Sequence, residues 1–136
     1  MLCLGIGAAS SLLNSCKIPH YANGKIEGTK LFVALDEFYD VSKDGKKVER
    51  KYILVKHDSL HFPICIYRIS GNKFNALWMQ CSHQGAELQV FGDTLQCPAH
   101  GSEFNQNGVA LSGPADKNLR AFETTVEKNN LIIHLV

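Results

Sequence analysis

Two short segments that each pair a cysteine with a histidine constrain this chain more than any other feature of its sequence. One residue separates Cys81 from His83, two separate Cys97 from His100, and a glycine follows each histidine within two residues. Thirteen residues lie between the two segments, enough for two short strands and a glycine turn. Because a hairpin brings its two ends together, we expect all four side chains to converge at one end of a sheet.

Two thiolates and two imidazoles suit a tetrahedral zinc ion or an iron-sulfur cluster. A catalytic cysteine-histidine pair needs one nucleophile and one base, so it would leave the second pair unexplained. A structural zinc site usually takes its cysteines from one loop and its histidines from the other, whereas each loop here supplies one of each. The mixed pattern favours a Rieske [2Fe-2S] centre, with two cysteines on one iron and two histidines on the other. Zinc remains the alternative.

The segments "CSHQGAEL" at 81–88 and "CPAHGSEF" at 97–104 resemble the ligand boxes of the Rieske [2Fe-2S] family. The segment "SGPADKNL" at 112–119 is similar to the glycine- and proline-rich loop that covers the cluster in that family, and the resemblance extends over residues 73–122. It implies stacked antiparallel sheets with two cluster-binding loops at one tip. It also implies that Cys81 and Cys97 bind the inner iron and that His83 and His100 bind the outer iron.

The chain departs from the respiratory branch of that family at several positions. That branch carries a second cysteine in each loop, joined as a disulfide, but the matching residues here are Ala86 and Ala99. Ser102 keeps a hydroxyl that donates to the cluster in that branch, and Phe104 stands where the branch has a second donor, a tyrosine. The resemblance therefore implies the type without a disulfide, and a potential intermediate within the family range of about −150 to +300 mV.

The body of the chain reads as all-β, with β-branched and aromatic runs separated by turn residues. We expect one domain over residues 30–136, with strands in "KLFVAL", "RKYILVK", "FPICIYRI", "FNALWMQ", "ELQVF", "TLQC", "EFN", "LRAFETTVE" and "LIIHLV". Three other side chains that could have a functional role have simpler, structural interpretations. Cys65 and Trp78 are expected in the core, and His134 as a hydrogen-bonded or edge residue of the last strand.

The first 16 residues are apolar and uncharged, as in an export signal. Their end, "LNSC", resembles the lipobox of bacterial lipoproteins, which predicts cleavage before Cys16 and lipidation of its thiol. Residues 17–29, polar and glycine-containing, are expected to form a flexible tether. An amino-terminal helix packed on the body is the alternative.

The charge balance excludes some classes of partner. Lysine and arginine number 14 and the acids 13, so nothing predicts a nucleic-acid groove. No flavin or dinucleotide motif is present, and we therefore expect a one-electron carrier or subunit rather than a stand-alone enzyme. The first hypothesis is an exported, periplasmic, lipid-anchored protein of a respiratory complex, with a cytochrome or quinol-oxidising partner. The alternatives are a soluble cytoplasmic ferredoxin feeding an oxygenase or reductase, and a zinc-stabilised binding module.

Overall fold

A computed structural model describes residues 18–136, which contain fourteen strands and one short 3-10 helix. The large sheet contains, in spatial order, β1 (Tyr21–Ala22), β6 (Tyr52–Val55), β7 (Ile64–Ser70), β8 (Lys73–Trp78), β13 (Ala121–Glu127), β14 (Asn130–His134), β3 (Lys30–Ala34) and β2 (Gly24–Glu27). The small sheet contains β12 (Ala110–Ser112), β11 (Glu103–Asn105), β10 (Thr94–Gln96) and β9 (Gln89–Phe91). A 3-10 helix at Leu35–Phe38 precedes a separate hairpin of β4 (Tyr39–Val41) and β5 (Lys47–Glu49).

Strands β6 to β8 are buried on both faces, which explains their nearly continuous apolar sequences. In β6, Ile53 and Val55 point into one core while Leu54 points into another. Cys65 and Tyr67 of β7 share the second core with Leu54. Because side chains alternate along a strand, one run of apolar residues supplies both cores. The large sheet thus joins a first core on one face to a second core that contains the cysteines of both ligand segments.

The small sheet brings the two cysteine-histidine segments together. Strand β9 pairs antiparallel with β10, with Gln96 opposite Gln89, and β10 pairs antiparallel with β11, with Gln96 opposite Glu103. The first segment precedes β9 and the second follows β10, so both lie at the same end of the sheet. We call this end the tip. The hairpin expected from the thirteen intervening residues is present.

The all-β prediction is confirmed, and each of the nine expected strands overlaps an observed one. Five strands were not predicted, namely β1, β2, β4, β5 and β12. The flexible tether expected over 17–29 is wrong for residues 21–27, because β1 pairs with β6 and β2 pairs with β3. Only one residue of these edge strands, Ala22, is buried, which explains why their sequences resemble a linker. The predicted signal at 1–16, with Cys16, lies outside the described residues.

Between residues 18 and 136, none of the helical structure has the length and apolar character needed to cross a bilayer.

Candidate metal centre

The first ligand loop is a tight turn closed by its own backbone. The amide of Gly85 donates to the carbonyl oxygen of Cys81 at 2.9 Å, and the amide of Cys81 donates to the carbonyl oxygen of Ala86 at 2.8 Å. Gly85 has a φ of 77°, a conformation that residues with a side chain rarely adopt. The turn therefore fixes the direction in which Cys81 and His83 leave the backbone.

The second ligand loop repeats this turn residue for residue. The amide of Gly101 donates to the carbonyl oxygen of Cys97 at 2.9 Å, and the amide of Cys97 donates to the carbonyl oxygen of Ser102 at 2.8 Å. Gly101 has the same φ of 77° as its counterpart in the first loop. Two equivalent turns at one tip thus present two equivalent cysteines.

The four candidate ligands divide by burial. Cys81 and Cys97 are each 3% exposed and belong to the second core, whereas His83 and His100 are exposed. The two imidazole rings contact each other edge to face, with centroids 5.2 Å apart. Both thiols are free. The structure therefore brings the two imidazoles into contact at the surface and places the two thiols in the second core, with sulfur inside and nitrogen outside.

The surroundings of Cys97 favour its thiolate. Burial raises the pKa of this thiol, but hydrogen bonds from the backbone amides of His100 and Ala99, together with the side chain of Cys81, outweigh burial and lower the pKa below its usual value. Thiolate is the form that binds metal. Cys65 is the opposite case, because burial raises its pKa and it is fully buried, as expected for a core residue.

The donors fit a two-iron centre better than a single ion. The donors form a pair of thiols and a pair of imidazoles. A mononuclear zinc site needs its ligands around one point, whereas a [2Fe-2S] centre of this type takes two cysteines on one iron and two histidines on the other.

A third loop, residues 112–119, holds both ligand loops. The hydroxyl of Ser82 donates to the carbonyl oxygen of Lys117 at 2.6 Å, and the amide of Ala115 donates to Oγ of Ser102 at 3.1 Å. Gly113 lies so close to the second ligand loop that a Cβ there would be 2.6 Å from the Cα of Ser102. The sequence located this loop but not these contacts. In the sequence, only Gly113 and Ser82, next to Cys81, could have indicated these contacts.

Two further predictions concern residues outside the four ligands. His134 bonds through Nε2 to the hydroxyl of Thr125 at 3.0 Å, which confirms its structural interpretation. Trp78 is only partly buried: its ring contacts the aromatic rings of Phe62 and Phe122, and its Nε1 donates to Oε1 of Gln80 at 3.0 Å. The prediction that Trp78 belongs to the core is therefore only partly right, because one side of the residue reaches the surface beside the first ligand loop.

Comparisons with known proteins agree with this geometry. The Rieske [2Fe-2S] domain family matches residues 32–123. Ferredoxin CarAc of Metapseudomonas resinovorans is 33% identical over 75 residues, which cover 52% of this chain and 69% of the ferredoxin. The cytochrome b6-f complex iron-sulfur subunit of Synechococcus elongatus is 24% identical over 131 residues, which cover 95% of this chain but only 61% of that subunit.

A solved structure shares the fold. The cyanobacterial plasma membrane Rieske protein from Synechocystis PCC 6803 superposes with a TM-score of 0.51 at 26% identity, covering 61% of this chain and 85% of that one. The family match covers more than half of the chain and includes both ligand loops and the third loop. This chain therefore belongs to the Rieske [2Fe-2S] domain family, as an electron carrier whose cofactor is one [2Fe-2S] cluster.

Proposed function

We propose that Cys81, His83, Cys97 and His100 hold the cluster, with the cysteines on the inner iron and the histidines on the outer iron. The observation that supports this assignment best is that two equivalent turns each present a buried thiol and an exposed imidazole. Two thiols are buried at 3% exposure, and two imidazoles are exposed at the tip. The bound cluster supplies a one-electron couple, and no other chemistry is required of this chain.

The residues around the ligands have separate tasks in this proposal. Amides of Ala99 and His100 that donate to the sulfur of Cys97 stabilise its negative charge. The second core keeps water from the thiols, since Leu88 and Leu95 are at most 2% exposed. The exposed imidazoles leave one edge of the site open to a partner. Electrons are therefore expected to enter and leave at the histidine side.

Analysis of the purified protein tests the ligand assignment. We expect iron and acid-labile sulfide in equal amounts, two of each per chain, and uptake of one electron in a reductive titration. His83→Ala and Cys97→Ala should both lose this content. His134→Ala is the matched control, because this histidine bonds to Thr125 in the last strand pair, and it should retain the cluster. Zinc without sulfide in the wild-type protein would contradict the assignment.

We propose further that the protein works at a membrane, as a lipid-anchored carrier or subunit on the periplasmic side. The lipobox-like Leu13–Cys16 segment supports an anchor at Cys16. The similarity to a cytochrome b6-f subunit over 95% of this chain, and to a plasma membrane Rieske protein, supports a membrane-side redox partner such as a cytochrome or a quinol-oxidising complex.

A soluble ferredoxin of the disulfide-lacking type is the second candidate. Ala86 and Ala99 occupy the positions of the loop cysteines, and the described cysteines, Cys65, Cys81 and Cys97, are all free. The similarity to ferredoxin CarAc, at 33% identity, supports the same alternative. An oxygenase or a reductase would then be the partner.

Membrane fractionation separates the two candidates. With the full chain expressed in a bacterium, the first predicts that the wild-type protein sediments with membranes and Cys16→Ala does not. Cys3→Ala is the control, since this residue lies in the segment expected to be removed. Equal distribution of wild-type protein and Cys16→Ala in the soluble fraction would favour the ferredoxin.

A further inference from the structure

A surface hollow of about 510 Å³ lies beside the first ligand loop. Its wall includes Cys81 and Gln84 of that loop, the partly buried Trp78, and two cationic residues, Lys117 and Arg120. Every charged residue in this lining is a cation. The neighbouring Asp116 is exposed but belongs to the adjoining surface. Because the chain as a whole is almost neutral, this hollow is a local site of positive charge.

Among residues 18–136, Arg120 is held in place without a carboxylate. Its Nη2 donates to the carbonyl oxygen of Leu135 at 3.0 Å, and its guanidinium lies over the ring of Phe122, 4.7 Å from the centroid. The other two arginines of the chain each have an acidic partner within 3.2 Å. Arg120 is thus the arginine that the fold orients by neutral contacts and leaves available for an external anion.

Lys117 is attached to the same wall. Its carbonyl oxygen accepts the hydroxyl of Ser82, so its backbone is bound to the first ligand loop. Its side chain is absent from the ion pairs formed among residues 18–136. The backbone of Lys117 is therefore fixed relative to the first ligand loop, and an anion that its side chain binds lies near that loop.

We propose that the hollow receives acidic side chains from the surface of the redox partner and so positions that partner beside the histidine edge of the site. This inference rests on the proposed function. Both cations, Gln84 and Asn118 are exposed, so water screens them, and an anion with a single charge gains little there. An acidic protein surface gains more, because several weak pairs form together and steer the encounter.

The single tryptophan of the chain makes occupancy of the hollow measurable. Trp78 lines the hollow, so its fluorescence should respond to a bound acidic peptide. We expect a saturable change when the holoprotein is titrated with hexaglutamate at low ionic strength, and none with hexaglutamine. Lys117→Gln/Arg120→Gln should weaken hexaglutamate binding about tenfold, as two exposed ion pairs predict. Circular dichroism checks that the variant is folded.

Lys46→Gln/Lys73→Gln is the matched control. It removes the same charge from two exposed lysines outside the hollow, and it should bind hexaglutamate like the wild-type protein. Equal weakening in both double variants would show a general charge effect and overturn the proposal. So would a fluorescence response to phosphatidylserine vesicles without one to hexaglutamate, which would assign the hollow to a membrane surface.

Electron transfer to small oxidants provides a second, independent readout. The reduced cluster loses one electron and hexacyanoferrate(III), an anion, becomes hexacyanoferrate(II). Lys117→Gln/Arg120→Gln should slow this reaction severalfold at low salt, but not the reaction with the cationic tris(phenanthroline)cobalt(III). Equal rates for wild-type protein and variant would overturn the proposal. Failure of the proposed function looks different, because protein without a cluster would reduce neither oxidant.

Discussion

At the residue scale, Ser102 connects two loops, and we expect its hydroxyl to donate to the cluster as well. It is fully buried, and its Oγ accepts the amide of Ala115 at 3.1 Å. A hydroxyl has one proton to donate besides the lone pairs that accept, so this contact leaves the proton free for the cluster. Phe104, also fully buried, offers no such proton. The sequence shows which residues occupy positions 102 and 104, but it does not show that both are buried.

Ser102→Ala should lower the reduction potential. Hydrogen bonds to cluster sulfurs favour the more negative reduced state, so their loss favours the oxidised one. A loss of about 1.4 kcal/mol corresponds to about 59 mV for a one-electron couple. Protein-film voltammetry measures the shift, and Ser112→Ala, at an exposed serine, is the control. An unchanged potential in Ser102→Ala would show that its hydroxyl does not reach the cluster.

At the element scale, the loop at 112–119 connects the two ligand loops, which a disulfide does in the respiratory branch. It contacts each ligand loop, through Lys117 and Ser82 in one case and Ala115 and Ser102 in the other. The members of these pairs are 35 and 13 residues apart in the chain. Such contacts depend on how the strands are placed, so no local pattern predicts them. The spacing of the four candidate ligands, by contrast, is local and can be read directly from the sequence.

Gly113→Ala tests that role. Gly113 has a φ of 87°, and an added Cβ would meet the Cα of Ser102 at 2.6 Å and the carbonyl oxygen of Gly101 at 2.8 Å. We expect the variant to displace the loop and lose its cluster faster, as followed by the decay of visible absorbance. Gly45→Ala is the matched control, since Gly45 has a φ of 77° but open space around its Cα. Similar decay in both variants would indicate backbone strain alone.

The strands that were not predicted show which kind of strand a local sequence pattern cannot detect. Strands β3, β6, β7 and β14 have apolar, β-branched residues buried at 5% or less, and all four were predicted. Strands β2, β4, β5 and β12 are short and contain no buried residue, and their backbone pairing rather than their side chains makes them strands. Edge strands of this kind bury too little apolar surface to leave a periodic signal.

At the scale of the whole molecule, two cores share one sheet but differ in their dependence on iron. The first core contains Leu31, Ile53 and Ile133, all fully buried, and none of the candidate ligands. The second core includes Cys81 and Cys97. The first core is therefore expected to fold without the cluster, while the tip relies on it.

Removal of the iron should loosen the tip alone. In hydrogen exchange of the iron-depleted protein, the amides of Cys81 and Cys97 should exchange at least about tenfold faster than in the holoprotein, because the turns lose their metal. The amides of β13 and β14 should keep their protection, since five residue pairs join these strands. Faster exchange throughout both sheets would mean that the two cores unfold together.

Pulsed EPR of the reduced protein tests whether two cysteines and two histidines bind one [2Fe-2S] cluster. With ¹⁵N-labelled histidine, we expect nitrogen couplings from two imidazoles that change with the isotope, and the loss of this signal in His83→Ala and His100→Ala but not in His134→Ala. A reduced cluster without nitrogen coupling, or a coupling that survives both substitutions unchanged, would contradict this assignment.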